Sequence, residues 1–308
     1  MVEHRLKSPK VSIIMNCFNG ERYLREAIDS VYAQTYQDWE IIFWDNASTD
    51  NSAEIAKRYD EKLRYFRGEK TVPIGHARNL ALENTQGQFI TFLDCDDIWL
   101  FSKLERQVLL MEENTDIDFL YANYYRFFER GKKKVLALKN KQPEGYVFER
   151  FLHHYPVATV TAMVRRSALQ RLETLYDNKL RVSSDFDLFM RVLYKVKAGY
   201  IEEPLAIYRI HPEMDTVRLM DRFAEENAYV IEKIKAMDPL FEGKYASSLE
   251  YFNAALFYLR AKVEMVNKNK RSAREFVRPY IWNDYRFLVM YLLTYFPLFF
   301  FKLLSGLR

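Results

Sequence analysis

The chain has 308 residues, 49% hydrophobic and 29% charged, a balance that excludes disorder over most of its length and any collagen-like or low-complexity architecture. The formal charge of +4 is too mild to argue for nucleic-acid binding. The two cysteines, Cys17 and Cys95, exclude a disulfide scaffold and a Cys-rich zinc site and fit a reducing compartment.

Met1 to Lys10 is charged and lacks the apolar run of a secretory signal, so a cytosolic protein is expected. From Lys10 to Asn123 short β-rich runs alternate with helical periodicity, which predicts a mostly parallel sheet flanked by helices, an α/β fold. Val11–Met15 reads as a first buried strand, and Tyr23, Leu24, Ala27, Ile28, Val31 and Tyr32 make one apolar helical stripe after it. Trp39–Trp44, Leu63–Phe66 and Phe89–Leu93 are expected strands, with helices at Ala53–Tyr59 and Ala77–Asn84 between them. Ser102 and Glu105 have the spacing of a capping box for a helix at Lys103–Glu113.

Further on, Phe119–Phe128 predicts a strand, Arg130–Lys134 a solvated hairpin turn, Val147–His153 a short helix and Thr159–Val164 another strand. A helix at Asp185–Tyr194 and strands at Tyr200–Ile201 and Ala206–Ile210 complete this part. From Asp221 the pattern is helical, so a boundary is placed near Met220, giving regions 1–220 and 221–308. Phe287–Phe301 is uncharged, but fifteen helical residues reach about 22 Å against a hydrocarbon core of about 30 Å. Pro297 also interrupts the run, so a simple transmembrane span is not expected. From Arg260 to Arg308 ten basic residues stand against three acidic ones, a net of +7, while the preceding part carries −3. With Trp282, Tyr285, Tyr291 and Tyr295, this composition suits an anionic membrane surface; a last core helix with solvated basic residues is the other reading.

Three polar clusters each follow an apolar strand: Asn16 to Gly20, Asp45 to Asp50, and Asp94 to Asp97. Ligands of open α/β sheets bind beyond the carboxyl ends of the strands, so the three are expected on one edge. Asp94 and Asp96, two apart at a strand end, would point the same way if the extended conformation persists. Oxygen ligands of this kind favour Mg²⁺ or Mn²⁺ shared with substrate phosphates, although aspartates here also suit a helix cap. Asp45 to Asp50 divides evenly between a cap, through Asp50 or Ser52, and ligand binding. No Gly-x-Gly-x-x-Gly or Walker loop is present.

As a set these motifs, running from about Val11 to Pro212, resemble the family 2 glycosyltransferases of the GT-A fold, which use nucleotide-sugar donors. Ser12 to Gly20 resembles the family's opening strand and loop, where the nucleobase packs, which implies roles for Asn16 and Phe18; Asn16 stands where the family often has Pro or Thr. Asp45 to Asp50 is similar to the second, nucleoside-binding loop, with Asn46 where many members have a second Asp. Gly75 to Asn79 is similar to the helix start that brings Arg78 to the donor nucleotide or phosphate. Phe92 to Asp97 resembles the Asp-x-Asp signature, implying ribose contact by Asp94, a donor-binding place for Cys95 beside it and metal binding by Asp96. Ser183 to Leu188 resembles the acceptor-side acidic motif, with Ser184 in place of Glu and Asp185 as the implied catalytic base; Tyr208 to His211 is similar to a segment in which some members carry a metal- or phosphate-contacting His, here His211.

The resemblance implies inverting transfer from a UDP-, GDP- or dTDP-sugar, with Mn²⁺ or Mg²⁺, to a hydroxyl of a glycan or lipid-linked glycan in envelope polysaccharide synthesis. The expected location is the cytoplasm, peripherally on the cytoplasmic face of the membrane. Within the acidic motif, Asp185 and Asp187 at a helix start lie on different faces, so only one should reach the acceptor. A two-carboxylate glycoside hydrolase has no need of a nucleotide cleft, and a nucleotidyltransferase lacks its Gly-rich, Lys-containing opening. A catalytically inactive nucleotide- or sugar-binding subunit of a membrane-associated assembly is the rival from another class.

Overall fold

All seven residues of the first strand, β1 (Val11–Cys17), are buried, as a strand can be only when helices cover both faces of its sheet. The computed structural model describes residues 8–282 and 284–305. After β1 come α1 (Glu21–Tyr32), β2 (Trp39–Asp45), α2 (Ser52–Ala56), β3 (Leu63–Arg67), α3 (Ile74–Leu82), β4 (Phe89–Phe92), β5 (Ile98–Trp99) and α4 (Lys103–Glu113). The hairpin β6 (Ile117–Phe128) and β7 (Lys133–Leu136) follows, then α5 (Phe148–His153), β8 (Met163–Arg165), α6 (Arg166–Gln170), α7 (Ser184–Leu193) and β9 (Lys197–Ile210).

Together the strands form one sheet ordered β3-β2-β1-β4-β8-β6-β9-β5, with β7 on β6. The ladders joining β3, β2, β1 and β4 are parallel, as is β6 with β9; β8 pairs antiparallel to both β4 and β6, and β5 antiparallel to β9. The parallel half is where the strand and helix alternation was legible, and the second half is mixed. Leu24, Ala27, Ile28 and Val31 of α1 pack with Val11, Ile13, Met15, Ile41 and Phe43 in the main core.

Several local expectations change. Thr159–Thr161 is a 3₁₀ turn, and strand structure begins only at Met163. Thr161 donates its hydroxyl to the Ala158 carbonyl at 2.8 Å, an alternative to the ladder that threonine offers the backbone. The carbonyls thereby freed accept from buried side chains, Val160 from Trp99 Nε1 and Thr161 from Gln107. Tyr200–Ile201 and Ala206–Ile210 belong to the single strand β9, which runs on through register shifts opposite Ala122 to Tyr124 of β6; an irregularity there accommodates Pro204, which has no N–H to give the ladder. Ser102 precedes α4 without a side-chain cap, and Glu105 accepts instead from the Thr35 hydroxyl at 3.0 Å.

The residues fall into two compact units. The first comprises the chain to Phe151 together with Tyr155–Met214, and the second comprises Leu152–His154 with the residues from Asp215 onward. The second is helical: α8 (Asp215–Arg218), α9 (Phe223–Lys235), α10 (Phe241–Val266), α11 (Lys270–Val277), α12 (Tyr285–Leu293) and α13 (Leu298–Ser305). Phe287, Met290 and Phe301 are buried against Ala261, Met265, Ala273 and Val277. Trp282, Tyr285, Tyr295 and Phe299 of the same segment are exposed, whereas Tyr291 packs on this small core. Among the described residues no helix is long and apolar enough to cross a membrane.

Candidate active site

The loops after β1 and β2 are tied to each other by side chains that satisfy backbone donors. Ser48 and Ser52 accept from the amides of Asn19 and Gly20, each at 3.0 Å, and Asp50 accepts from the amide of Glu21 at 2.9 Å. That last bond satisfies one of the unpaired N–H groups at the start of α1. In return Glu21 accepts from the Asn51 backbone and side chain, and Asn19, held at φ 53°, accepts from the Thr49 amide at 2.8 Å. Asp50 therefore caps the first helix across the loop, while Asn51 occupies the cap position of α2.

Within this frame Phe18 presents its ring to solvent, 51% exposed. The buried amide of Asn16 has no protein partner on either polar atom. Asp45 and Asn46, by contrast, are engaged inside the loop. Asp45 is fully buried and accepts from the Ser48 amide at 2.7 Å, the Tyr65 hydroxyl at 2.6 Å and Arg67 at 2.6 Å. Asn46 makes a reciprocal pair with the backbone of Val72, donating at 2.8 Å and accepting at 3.1 Å. In this structure both side chains are buried and brace the loop.

Helix α3 supplies the link between the two acidic motifs. Arg78, only 2% exposed, donates to Asp94 Oδ1 at 2.7 Å and to Asp185 Oδ1 at 2.6 Å. The other oxygen of Asp185 accepts from the Thr159 hydroxyl at 2.9 Å. Burial works against the charge on Arg78, but the carboxylates of Asp185 and Asp94 outweigh it and hold its pKa above the ordinary value. Burial raises the pKa of Asp94, with Arg78 opposing. Asp187 goes elsewhere: it is fully buried and grips Arg191 through both oxygens, at 3.0 and 2.6 Å. Asp185 is thus the member of the pair left at the site.

The strand end after β4 distributes its side chains by role. Asp96 Oδ2 lies 2.9 Å from Nε2 of His211, 115 residues on and just past the end of β9. Nδ1 of His211 is buried without a hydrogen-bond partner, its nearest carboxylate oxygen being that of Glu213 at 3.8 Å. Asp97 is buried and accepts from the Arg209 amide at 2.9 Å, and the Arg209 guanidinium donates to the Asp96 carbonyl at 2.8 Å. Cys95 turns inward to the core, where its thiol meets that of Cys17 and its pKa is raised by that hydrogen bond and by burial. Its side chain therefore packs under the site, so the thiol is turned away from the expected donor.

An Asp96 carboxylate beside an imidazole is a donor pair that Mn²⁺ or Mg²⁺ accepts, since such ions take one or two protein ligands and complete their shell with phosphate oxygens and water. Among the described residues no group of three or more candidate ligands gathers. Sequence reasoning did not single out Arg209 or Thr159. Arg209 had a legible signal, standing two residues before His211 on a strand and so on the same side; Thr159 lies in a 3₁₀ turn with no motif around it.

Residues 12–173 match the model of the family described as Glycosyl transferase family 2. The chain is 34% identical over 240 residues to the uncharacterized glycosyltransferase MJ1057 of Methanocaldococcus jannaschii, covering 75% of this chain and 80% of that one. It is 32% identical over 184 residues to WfgD of Escherichia coli, covering 59% and 69%; that protein is described as a UDP-Glc:alpha-D-GlcNAc-diphosphoundecaprenol beta-1,3-glucosyltransferase. Among solved structures it is similar to Staphylococcus aureus TarS in complex with UDP-GlcNAc, with TM-score 0.65, 20% identity and coverage of 87% and 81%. A mannosyltransferase from Pyrobaculum calidifontis in complex with GDP-Man and Mn²⁺ gives TM-score 0.60 at 17% identity, covering 90% and 76%.

The fold is that of the GT-A glycosyltransferases. The chain belongs to glycosyl transferase family 2 and is a glycosyltransferase.

Proposed function

We propose that the enzyme transfers a sugar, with inversion, from a nucleoside diphosphate donor to a hydroxyl of a lipid-linked or envelope glycan. The observation that carries this reading is the bridge of Arg78 between Asp94 and Asp185, with Asp96 and His211 paired in the adjoining loop. It sets a donor-side and an acceptor-side carboxylate on two sides of one guanidinium. The named activity of WfgD supports a lipid-linked acceptor, and the ligands of the TarS and P. calidifontis complexes support a nucleotide-sugar donor.

In this reading Phe18 and Asn16 receive the nucleobase, the ring by stacking and the unpartnered amide by hydrogen bonding. Asp94 meets the ribose. Asp96 and His211 would hold Mn²⁺ or Mg²⁺, which when bound neutralises the charge developing on the departing diphosphate. Asp185 accepts the proton of the attacking hydroxyl as it closes on the anomeric carbon, while Arg78 and Thr159 fix the direction in which its carboxylate points. Attack from the side opposite the leaving group gives inversion.

The helical unit contributes a surface suited to the cytoplasmic face of a membrane. Trp282 is 86% and Tyr285 77% exposed, in a segment whose charge is strongly positive, and such aromatics favour the headgroup level.

The test is hydrolysis and transfer of UDP-, GDP- and dTDP-sugars with Mn²⁺, with Mg²⁺ and in excess EDTA. Turnover of one donor class is expected only with metal, and Asp96→Ala should abolish it in a folded protein. Full activity in EDTA would overturn the metal assignment, and no turnover of any donor would favour a binding subunit.

A further inference from the structure

The helical unit contains a cavity of about 480 Å³, within the range of about 300–1,000 Å³ usual for small-molecule sites. Ser247, Glu250, Tyr251, Ala254, Ala255 and Tyr258 line it, and their spacing is that of one face of α10. Leu249, Phe252 and Leu256 are buried on another face of that helix, while Ala254 and Tyr258 of the cavity face pack on the small core of Phe287 and Met290. The cavity thus lies at the margin of that core, with aromatic and polar side chains alternating along α10.

The aromatic wall is held in place before any ligand arrives. The His153 ring lies 4.6 Å from that of Tyr251, tilted by 32°, and the Tyr251 hydroxyl accepts from Arg286 at 2.7 Å. Arg286 also donates through Nε to Asp284 at 2.8 Å. That hydrogen bond depresses the pKa of Asp284, and Asp284 in turn raises that of Arg286. Tyr258, Tyr280 and Phe287 continue the apolar side, with Tyr258 and Tyr280 each 5.3 Å from Phe287.

Polar chemistry comes from Ser247, Glu250, Asn253 and the Asp284–Arg286 pair. Two carboxylates against one guanidinium disfavour a phosphate or diphosphate ligand, and a purely apolar ligand would leave the carboxylate, amide and hydroxyl unused. A pyranose ring answers both sides. Its C–H face covers an aromatic ring, and its hydroxyls donate to carboxylates and accept from an amide or hydroxyl.

We infer that this cavity is a binding subsite for a neutral saccharide, separate from the residues that carry the chemistry. Resting on the transferase reading, the saccharide is of the same class as the glycan that the enzyme extends.

The experiment titrates the full chain with chitotriose, maltotriose and mannotriose by calorimetry and saturation-transfer NMR, and with the nucleotide donor separately. At least one trisaccharide is expected to saturate. Ala255→Trp, which fills the cavity from an exposed position, and Glu250→Ala should each weaken it about tenfold or more, equivalent to about 1.4 kcal/mol. Should Ala255→Trp lower the melting temperature, Glu250→Ala alone decides. Failure of all three trisaccharides to bind, or unchanged affinity in the deciding variants, overturns the subsite. Donor binding without saccharide binding removes the subsite and leaves the transferase reading intact; saccharide binding without donor binding does the reverse.

Discussion

Arg78 and Asp185 stand 107 residues apart in sequence and meet at 2.6 Å, and the same guanidinium reaches Asp94 at 2.7 Å. One buried cation thereby couples the strand end after β4 to the start of α7.

Asp185→Asn keeps the shape of the side chain and removes its basicity, so turnover should fall by about 10² to 10⁴ with donor affinity little changed. Arg78→Lys keeps the charge but reaches only one carboxylate. It should lower both turnover and melting temperature, since breaking a buried ion pair costs up to about 3–5 kcal/mol. Stopped-flow kinetics and thermal melts check the pair; wild-type behaviour of Arg78→Lys in both would show the bridge to be dispensable.

Lys103 provides a pH signature of stability. It is fully buried, donates to Thr91 at 3.0 Å and Gln107 at 2.6 Å, and lies over the Trp99 ring at 4.0 Å. Burial holds its pKa well below the usual lysine value. Between that lowered value and the unfolded value of about 10.4 the unfolded chain carries the extra proton, so stability rises with pH. Lys103→Met should therefore gain most over wild type near neutral pH, the difference shrinking toward pH 10. Urea melts across that range read it, and a pH-independent difference contradicts it.

Two glycines should respond in opposite directions. A Cβ on Gly87 would sit 2.4 Å from the Ser12 amide nitrogen and 2.7 Å from the Val11 carbonyl carbon, backbone atoms of β1 that cannot move aside. Gly87→Ala should cost about 1–3 kcal/mol. A Cβ on Gly243 in α10 meets nothing within 4 Å, so Gly243→Ala should stabilise by about 0.5–1 kcal/mol. Chemical denaturation of the two variants measures both, and a stable Gly87→Ala protein would mean that β1 and the turn before β4 are looser than this packing implies.

For the helical unit, sedimentation with anionic vesicles is expected at low salt and should weaken as salt rises, each basic residue near the surface contributing about 1 kcal/mol before screening. The double variant Trp282→Ala, Tyr285→Ala should sediment less under all salt conditions. Binding that is indifferent to lipid charge, or unaltered by that double change, would point away from an interfacial role.

Much of the chemistry was legible because it lies in contiguous runs that follow apolar strands. The strands at Val11, Trp39 and Phe89, the polar clusters after them and the helix at Lys103–Glu113 follow from periodicity and turn chemistry, which are local properties of the chain. So does the separation of Asp185 from Asp187, since residues two apart on a helix point to different faces. Tertiary packing decided which of these side chains remain available. Asp45 and Asn46 read as ligands from their motif, yet Tyr65, Arg67 and Val72, from 20 to 26 residues further along, bind them into the loop. Cys95 sits between two site aspartates and points the other way, and Thr159 reaches Asp185 from a turn with no signature. A residue type and its spacing determine what a side chain can do locally, whereas a buried polar group is satisfied by whichever distant segment the sheet order brings alongside it, and that order is set by contacts across the whole chain.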